Sequence, residues 1–246
     1  MECARLNRYG LLAVTGADAR SFLHAQLTND IANLPPDRAA LAGWCTAKGR
    51  LLASMLVIPS REGFLLQLAR DLAPTVAKRL SMFILRSKVK ITDESDAWSQ
   101  YGIWDADLKV EGVAWQGETV TARIGDGRFL RIGKSLSENC KAGEEAWTLQ
   151  EIRAGRPLIS AATQDQFVPQ MVNFEALGAI NFQKGCYPGQ EIVARAQYRG
   201  QVKRRMVRVQ APAGTELKPG QEFNGGVVVD SARSENGSEA LAVMPL

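Results

Sequence analysis

The sequence predicts an α+β fold carrying a small all-β module at its C-terminal end. Two observations carry this. Over residues 11–92, apolar residues recur at strand or helix spacing in the order strand, helix, three strands, helix, strand. From Lys203 onward the pattern changes to short strands separated by Gly/Pro turns. The chain's 246 residues, 46% of them hydrophobic, are enough to bury a core without staples.

Leu11–Thr15 reads as a short buried strand. Gly16 and Asp18 open a helix, with Asp18 as its N-cap, Asn29-Asp30 as its stop, and Ala19, Phe22, Leu23 and Leu27 as its apolar face. Pro35-Pro36 marks a loop. Ala39–Cys45 and Leu51–Ile58 form strands joined at the Lys48-Gly49 hairpin, and Phe64–Leu68 follows the Arg61-Glu62-Gly63 turn. A helix from Leu72, capped by Asp71, turns Val76, Leu80, Phe83 and Ile84 inward, and Val89–Thr92 returns as a strand. Residues 98–133 are strand-like, with turns at Gly112, Gly117 and Gly125–Gly127. A helix over Trp147–Ala154 stops at Gly155, with Pro157 beyond. Phe167 to Gly189 is loop-rich, and Met206–Gln210, Val227–Asp230 and Ala240–Met244 supply the last strands. The expected division is residues 1–200 and 201–246.

No run of about 20 apolar residues is present, so no membrane span is expected. Met1 to Gly10 carries Glu2, Arg5 and Arg8 without an apolar run, so no secretory leader is expected either. Cys3, Cys45, Cys140 and Cys186 are far apart and form no C-x-x-C pair. That spacing argues against a disulfide framework or a structural zinc site, and scattered thiols suit a reducing, cytoplasmic compartment. His24 is the single histidine, which argues against His-rich metal sites and a Ser-His-Asp triad. Gly125-Asp126-Gly127 lacks the G-x-x-x-x-G-K-[ST] pattern of a phosphate loop. Net charge is a mild +4, but Ile192 to Thr215 holds no Asp or Glu while carrying Arg195, Arg199, Lys203, Arg204, Arg205 and Arg208. This basic run is either the solvated face of a strand or a site for an anionic ligand, such as a polyglutamate tail or RNA phosphate.

Chemistry concentrates in Lys184-Gly185-Cys186-Tyr187-Pro188-Gly189-Gln190-Glu191. Two glycines and a proline make a shaped turn around the cysteine, and Lys184 and Arg195 are cations that favour thiolate over thiol. The competing reading is a small apolar cysteine in a tight loop.

This segment, continued by Ile192-Val193-Ala194-Arg195, resembles the signature of the YgfZ family, folate-binding relatives of the glycine cleavage T-protein, an aminomethyltransferase. Thr15-Gly16-Ala17-Asp18-Ala19 with Phe22-Leu23 and Gln26-Leu27-Thr28-Asn29-Asp30 is similar to its N-terminal motif, and Cys45-Thr46-Ala47-Lys48-Gly49-Arg50 to its central hairpin. Ala154-Gly155-Arg156-Pro157 and Phe167-Val168-Pro169-Gln170 match the approach to the cysteine loop. The resemblance implies intertwined folate-binding α+β lobes over residues 1–200 and a short C-terminal β-barrel-like module over 201–246.

It also implies a function: a protein that binds tetrahydrofolate or a one-carbon derivative non-covalently and supports iron–sulfur enzymes, including tRNA-thiolating ones, through Cys186. Its partners would be folate, iron–sulfur client proteins and, indirectly, tRNA. Tyr9 and Trp147 align with aromatic positions of the family's folate cleft, or serve ordinary packing. Gln190 and Glu191 could bond the pterin or satisfy loop backbone. Lys48, Lys184, Tyr187 and Arg195 complete the expected contacts, and no resident metal is expected. Where T-proteins carry an Asp-Asp pair after the hairpin, this chain has Ala53-Ser54, neither of which can act as a carboxylate base. Aminomethyl transfer is therefore the alternative reading, and a basic RNA-binding module a third.

Overall fold

An almost unbroken apolar run, Leu51–Ser60, forms a strand buried along all but its last residue, as expected where both faces of a strand are covered. The structure is a computed structural model and describes residues 1–200 and 202–246. In chain order the elements begin with β1 (Glu2–Arg5), β2 (Tyr9–Thr15), α1 (Ala19–Gln26), β3 (Ala40–Cys45), β4 (Leu51–Ser60), β5 (Gly63–Ala69), α2 (Ala73–Ser81) and β6 (Lys90–Asp93). They continue with β7 (Ser99–Trp104), β8 (Val113–Gln116), β9 (Thr119–Gly125), β10 (Arg128–Gly133), α3 (Glu144–Arg153) and α4 (Gln190–Tyr198). The chain closes with β11 (Arg204–Pro212), β12 (Glu222–Phe223), β13 (Gly226–Ser234) and β14 (Gly237–Pro245).

These elements sort into two units, each built from separate stretches of chain. The first holds residues 1–24, 31–40 and 55–147; the second holds 25–30, 41–54 and 148–246. Residues 202–246 thus belong with 148–200, and the expected boundary residue, Gln201, lies outside the described residues.

In the first unit β2 pairs antiparallel with β5 from Tyr9↔Ala69 to Thr15↔Gly63, and with β6 along its other edge. Leu11, Leu12 and Val14 of β2 are fully buried. A second antiparallel sheet runs β1-β7-β10-β9-β8. Polar contacts join the two: Gln67 Nε2 of β5 donates to Gln100 Oε1 of β7 at 2.9 Å, and Gln100 Nε2 donates to the Tyr9 carbonyl at 3.1 Å. Both glutamines are buried, so these bonds satisfy groups that would otherwise be costly to enclose. In the second unit, β3 and the start of β4 form a hairpin whose tip is closed by Thr46 N–H to the Arg50 carbonyl at 2.8 Å. The last strands form an antiparallel sheet ordered β11-β14-β13-β12, with Ala211, Leu217, Val228 and Ala240 as its small core. Arg153 at the end of α3 pairs with Glu239 of β14 at 2.6 Å.

Several expectations are corrected. Asp18 does not cap α1; its carboxylate accepts the Lys88 N–H at 2.7 Å. A 3-10 turn over Arg70–Leu72 precedes α2, so Asp71 lies inside that turn and makes no cap. Pro74, in the first turn of α2, fixes where the helix begins. α2 ends at Ser81, which buries Val76 and Leu80 but leaves Phe83 exposed and Ile84 half-buried. β1 escaped notice because only Ala4 of its four residues is buried, too little for a period to show. The segment after Gly189, whose basic run reads as a solvated strand face or an anion site, is the helix α4. Its helical spacing was masked by the charge pattern, so the basic run is split between α4 and β11.

The thiols do not all stand apart. Cys3 of β1 and Cys140, in the segment before α3, form a disulfide with Cα atoms 5.0 Å apart across 137 residues of sequence. β1 pairs with β7 from Glu2↔Trp104 to Arg5↔Tyr101, and this pairing carries Cys3 to the edge where the chain returns. Spacing alone hides such a pairing. Closing a loop of that length contributes up to about 5 kcal/mol in the chain-entropy model. Cys3→Ser is therefore expected to lower the first unit's melting temperature by several degrees under oxidising conditions. Dithiothreitol should reproduce the shift in the parent and leave the variant unmoved. Identical melts for parent and variant would mean that the bond contributes nothing in solution.

Candidate functional site

The site builds outward from a place where two turns of the second unit come together at glycines. Gly189 has φ +81° and precedes α4, accepting the N–H groups of Ile192 and Val193 on its carbonyl. A Cβ at Gly189 would fall 2.3 Å from the Thr46 carbonyl oxygen and 2.6 Å from Gly49 Cα. The β3–β4 hairpin tip is therefore seated backbone to backbone on the turn that carries the cysteine, a closeness only glycine allows. Lys48, exposed at that tip, is brought beside the loop by this contact.

On the other side of Cys186, the loop is held by Lys184. This lysine is only 8% exposed. Its Nζ donates to the Leu27 carbonyl at 2.6 Å and lies 4.9 Å from the centroid of the Tyr187 ring. Burial pulls the Lys184 pKa down to about 8, against the opposing charges of Asp30 and Cys186. Tyr187 is 7% exposed, and burial raises its phenol pKa, with a smaller contribution from Cys45. Cys45 is itself buried, which pushes its thiol up to about 12 and leaves it protonated and inert.

Cys186 presents the opposite environment. With Gly185 it is exposed between two buried anchors. Gln190 completes the turn, its N–H donating to the Tyr187 carbonyl at 3.1 Å. Val193 is the buried anchor of α4, and Gln170 Nε2 donates to the Val193 carbonyl at 2.6 Å. The result is a thiol on an outward turn whose flanks are fixed, available to a ligand, a client or a metal ion held jointly with another protein.

The structure thus gathers Cys186, Lys48, Lys184, Tyr187, Gln190, Glu191 and Arg195 in one unit, with Glu191 and Arg195 exposed on α4. It gives them unequal parts, since Lys184 and Tyr187 are anchors turned into the protein. Tyr9 and Trp147 belong to the first unit. Tyr9 is buried at the start of β2, with the Arg8 guanidinium 6.0 Å from its ring centroid. Trp147 is 1% exposed and lies 6.0 Å from Trp104 between ring centroids. Gly102 makes room for it, since a Cβ there would fall 2.2 Å from the indole. Ala53 and Ser54, where the resemblance leads one to expect carboxylates in a transferase, are buried, and Ser54 Oγ accepts the Ile159 N–H at 2.9 Å. Sequence reasoning missed the Leu27 carbonyl, Asp30 and the Gly49–Gly189 contact. The two glycines were legible as turn residues, but nothing in the sequence pairs them.

No family model matches the chain. Among curated proteins it is 30% identical to the tRNA-modifying protein YgfZ of Aliivibrio fischeri (strain ATCC 700601 / ES114), over 98% of this chain and 84% of that protein. The chain belongs to the YgfZ family. The YgfZ protein of Escherichia coli O139:H28 is also 30% identical, over 97% of this chain and 83% of its own length. An uncharacterized protein of Haemophilus influenzae is 34% identical, over 89% and 76% respectively. The fold is that of aminomethyltransferase T: the crystal structure of the glycine cleavage enzyme from Bartonella henselae superposes with a TM-score of 0.75. It covers 99% of this chain and 78% of that one at 16% identity. Among the described residues, no helix of this YgfZ-family chain is long and apolar enough to cross a membrane.

Two outcomes test the anchors. Gly189→Ala should destabilise the second unit by roughly 1–3 kcal/mol in urea unfolding, because φ and space both exclude a side chain. An unchanged urea midpoint would mean that the two turns do not touch. Lys184 binds its proton less tightly folded than unfolded. Its burial cost is therefore fully present below pH 8 and relieved as pH rises from about 8 towards the ordinary lysine range, so its contribution to stability rises there. Lys184→Met should remove that rise from urea midpoints measured between pH 7 and pH 10. The same slope in both proteins would refute the depressed pKa.

Proposed function

We propose that this protein binds tetrahydrofolate or a one-carbon derivative non-covalently and supports the assembly or repair of iron–sulfur enzymes, among them tRNA-thiolating ones, through Cys186. The observation that carries the reading is the exposed Cys186 thiol on a turn fixed at both flanks, in a chain of the YgfZ family. The printed name of the relatives, tRNA-modifying protein, supports the link to tRNA modification. The aminomethyltransferase fold supports a folate ligand.

The residues present suit such a ligand in part. A glutamate tail needs cations, and Lys48 and Arg195 are exposed for that role. Gln190 offers a side-chain amide at the turn, and Glu191 a carboxylate that can accept from pterin N–H groups. Lys184 and Tyr187 act by holding Cys186 in place. Tyr9 and Trp147 are enclosed in the first unit, so substituting them tests packing before it tests ligand contact. A thiolate at Cys186 is a soft ligand suited to iron or a sulfur-transfer intermediate. The alternative, aminomethyl transfer, lacks support at Ala53-Ser54: the Ser54 hydroxyl is committed to the Ile159 N–H and no carboxylate stands there.

Isothermal titration with tetrahydrofolate tests the ligand. Micromolar saturable binding is expected, weakened several-fold by Lys48→Ala and Arg195→Ala with melting temperatures unchanged. Cys186→Ala should bind folate normally, yet fail to restore the activity of an iron–sulfur tRNA-thiolating enzyme in a strain lacking this protein. Full restoration by Cys186→Ala, or no heat of binding with the parent protein, would overturn the corresponding half of the reading. Turnover of an aminomethyl donor would favour the transferase instead.

A further inference from the structure

The segment that leads away from the Cys186 turn carries a surface that the folate reading does not use. On α4, Tyr198 is 70% exposed, an unusual state for a large ring. It makes a T-shaped contact with Phe182, with centroids 6.0 Å apart and planes at 69°. Most of the ring is open to solvent. Arg199 follows it at the helix end, and Lys203 and Arg204 lead into β11; all three are exposed. α4 and β11 both pack on the 3-10 turn Pro169–Val172. An open cleft of about 540 Å³ lies between the end of α4 and the start of β11, its lining including Ala196, Val202, Lys203, Arg205 and Leu246.

The charges there are of two kinds. Arg205 is committed to Glu175, and Arg208 lies in the field of Glu239, which Arg153 already holds. Arg199, Lys203 and Arg204 have no ion-pair partner among the described residues. A solvated helix face normally mixes signs at i and i+4. Here no acid occurs from Ile192 to Thr215, and the acid of α4, Glu191, lies at its opposite end, about 12 Å away at the helical rise. A protein partner would ask for a continuous apolar centre; here Tyr198, Val202 and Leu246 are interspersed with Arg199, Lys203, Arg204 and Arg205. A polyanion with flat, stackable groups matches both the cations and the exposed ring, and that description is of nucleic acid. In a duplex the bases are stacked inside and cannot reach a side chain; in a single strand or loop they can.

We propose that Tyr198, Arg199, Lys203 and Arg204 form a binding strip for single-stranded RNA, with Tyr198 as the stacking platform and the three cations on phosphates. The proposal rests on the tRNA link in the function proposed above, and it names the RNA-facing surface of the same unit. It also places an RNA loop on the helix that begins at the Cys186 turn.

The test is fluorescence anisotropy of the full-length protein with a labelled single-stranded RNA of about a dozen nucleotides and with its duplex, over a range of salt. The single strand should bind more tightly than the duplex. With three phosphate contacts, the slope of log K against log salt should be near −2, at roughly 0.7 per contact. Lys203→Ala/Arg204→Ala should flatten it by about 1.4. Tyr198→Ala should weaken binding about 5- to 100-fold, as loss of one base stack does, while Tyr198→Phe should retain it because stacking needs no hydroxyl. Absence of saturable binding at low salt, or parent-like affinity in both alanine variants, would overturn the strip. Tetrahydrofolate titration of the same parent preparation separates the two readings. Folate bound without RNA removes the strip alone; RNA bound without folate keeps the strip and removes the folate ligand.

Discussion

The cysteine turn depends on a contact that no side chain makes: Gly49 and Gly189 meet backbone to backbone. Their atoms lie closer than any Cβ would permit. Residues 41–54 and 148–246 are joined in one unit, and this approach seats the hairpin tip on the turn before α4. The helix then starts at a left-handed residue, and its first N–H groups find the Gly189 carbonyl. Side-chain chemistry comes second, since the places of Lys48, Gln190 and Glu191 all follow from where those two turns touch.

A buried charge then does what a hydrophobic residue could not. Lys184 reaches the Leu27 carbonyl and covers the Tyr187 ring, fixing a direction as well as a depth. Removing an ammonium from water is costly, which is why its proton is held loosely. The same unit contains two free thiols, one buried and one exposed. Cys45 is enclosed and stays protonated, while Cys186 faces outward. The fold thus encloses one sulfur and leaves the other within reach of solvent.

The strands and the hairpin were legible because apolar spacing reports burial directly: Leu51–Ser60 and Leu11–Thr15 show it plainly. The Cys186 turn was legible from its glycines and proline. α4 was not, because charge at Arg195 and Arg199 obscured a helix with a single buried residue, Val193. The Cys3–Cys140 bond, the Lys184–Leu27 contact and the Gly49–Gly189 approach were not legible for one common reason. Each joins residues more than a hundred apart, and local pattern carries no information about which distant segments meet. Trp147 aligned with an aromatic position of the family, but alignment does not report that Gly102 opens a slot which encloses the ring.

The interleaving of the two units also sets an order of assembly. Arg8 N–H meets Glu144 and Cys3 meets Cys140, so the first unit can be complete once about 147 residues have left the ribosome. By then residues 25–30 and 41–54 are already made, yet their partners do not exist. Leu27 waits 157 residues for Lys184, and Thr28 waits 151 for Ala179. Contacts of such separation form late and slowly. Cys186 is therefore anchored only after the Leu27–Lys184 and Gly49–Gly189 contacts close, and a nascent or truncated polypeptide carries it on an unanchored segment. The geometry of the Cys186 turn is a property that arrives only once residues 184–193 have met their partners.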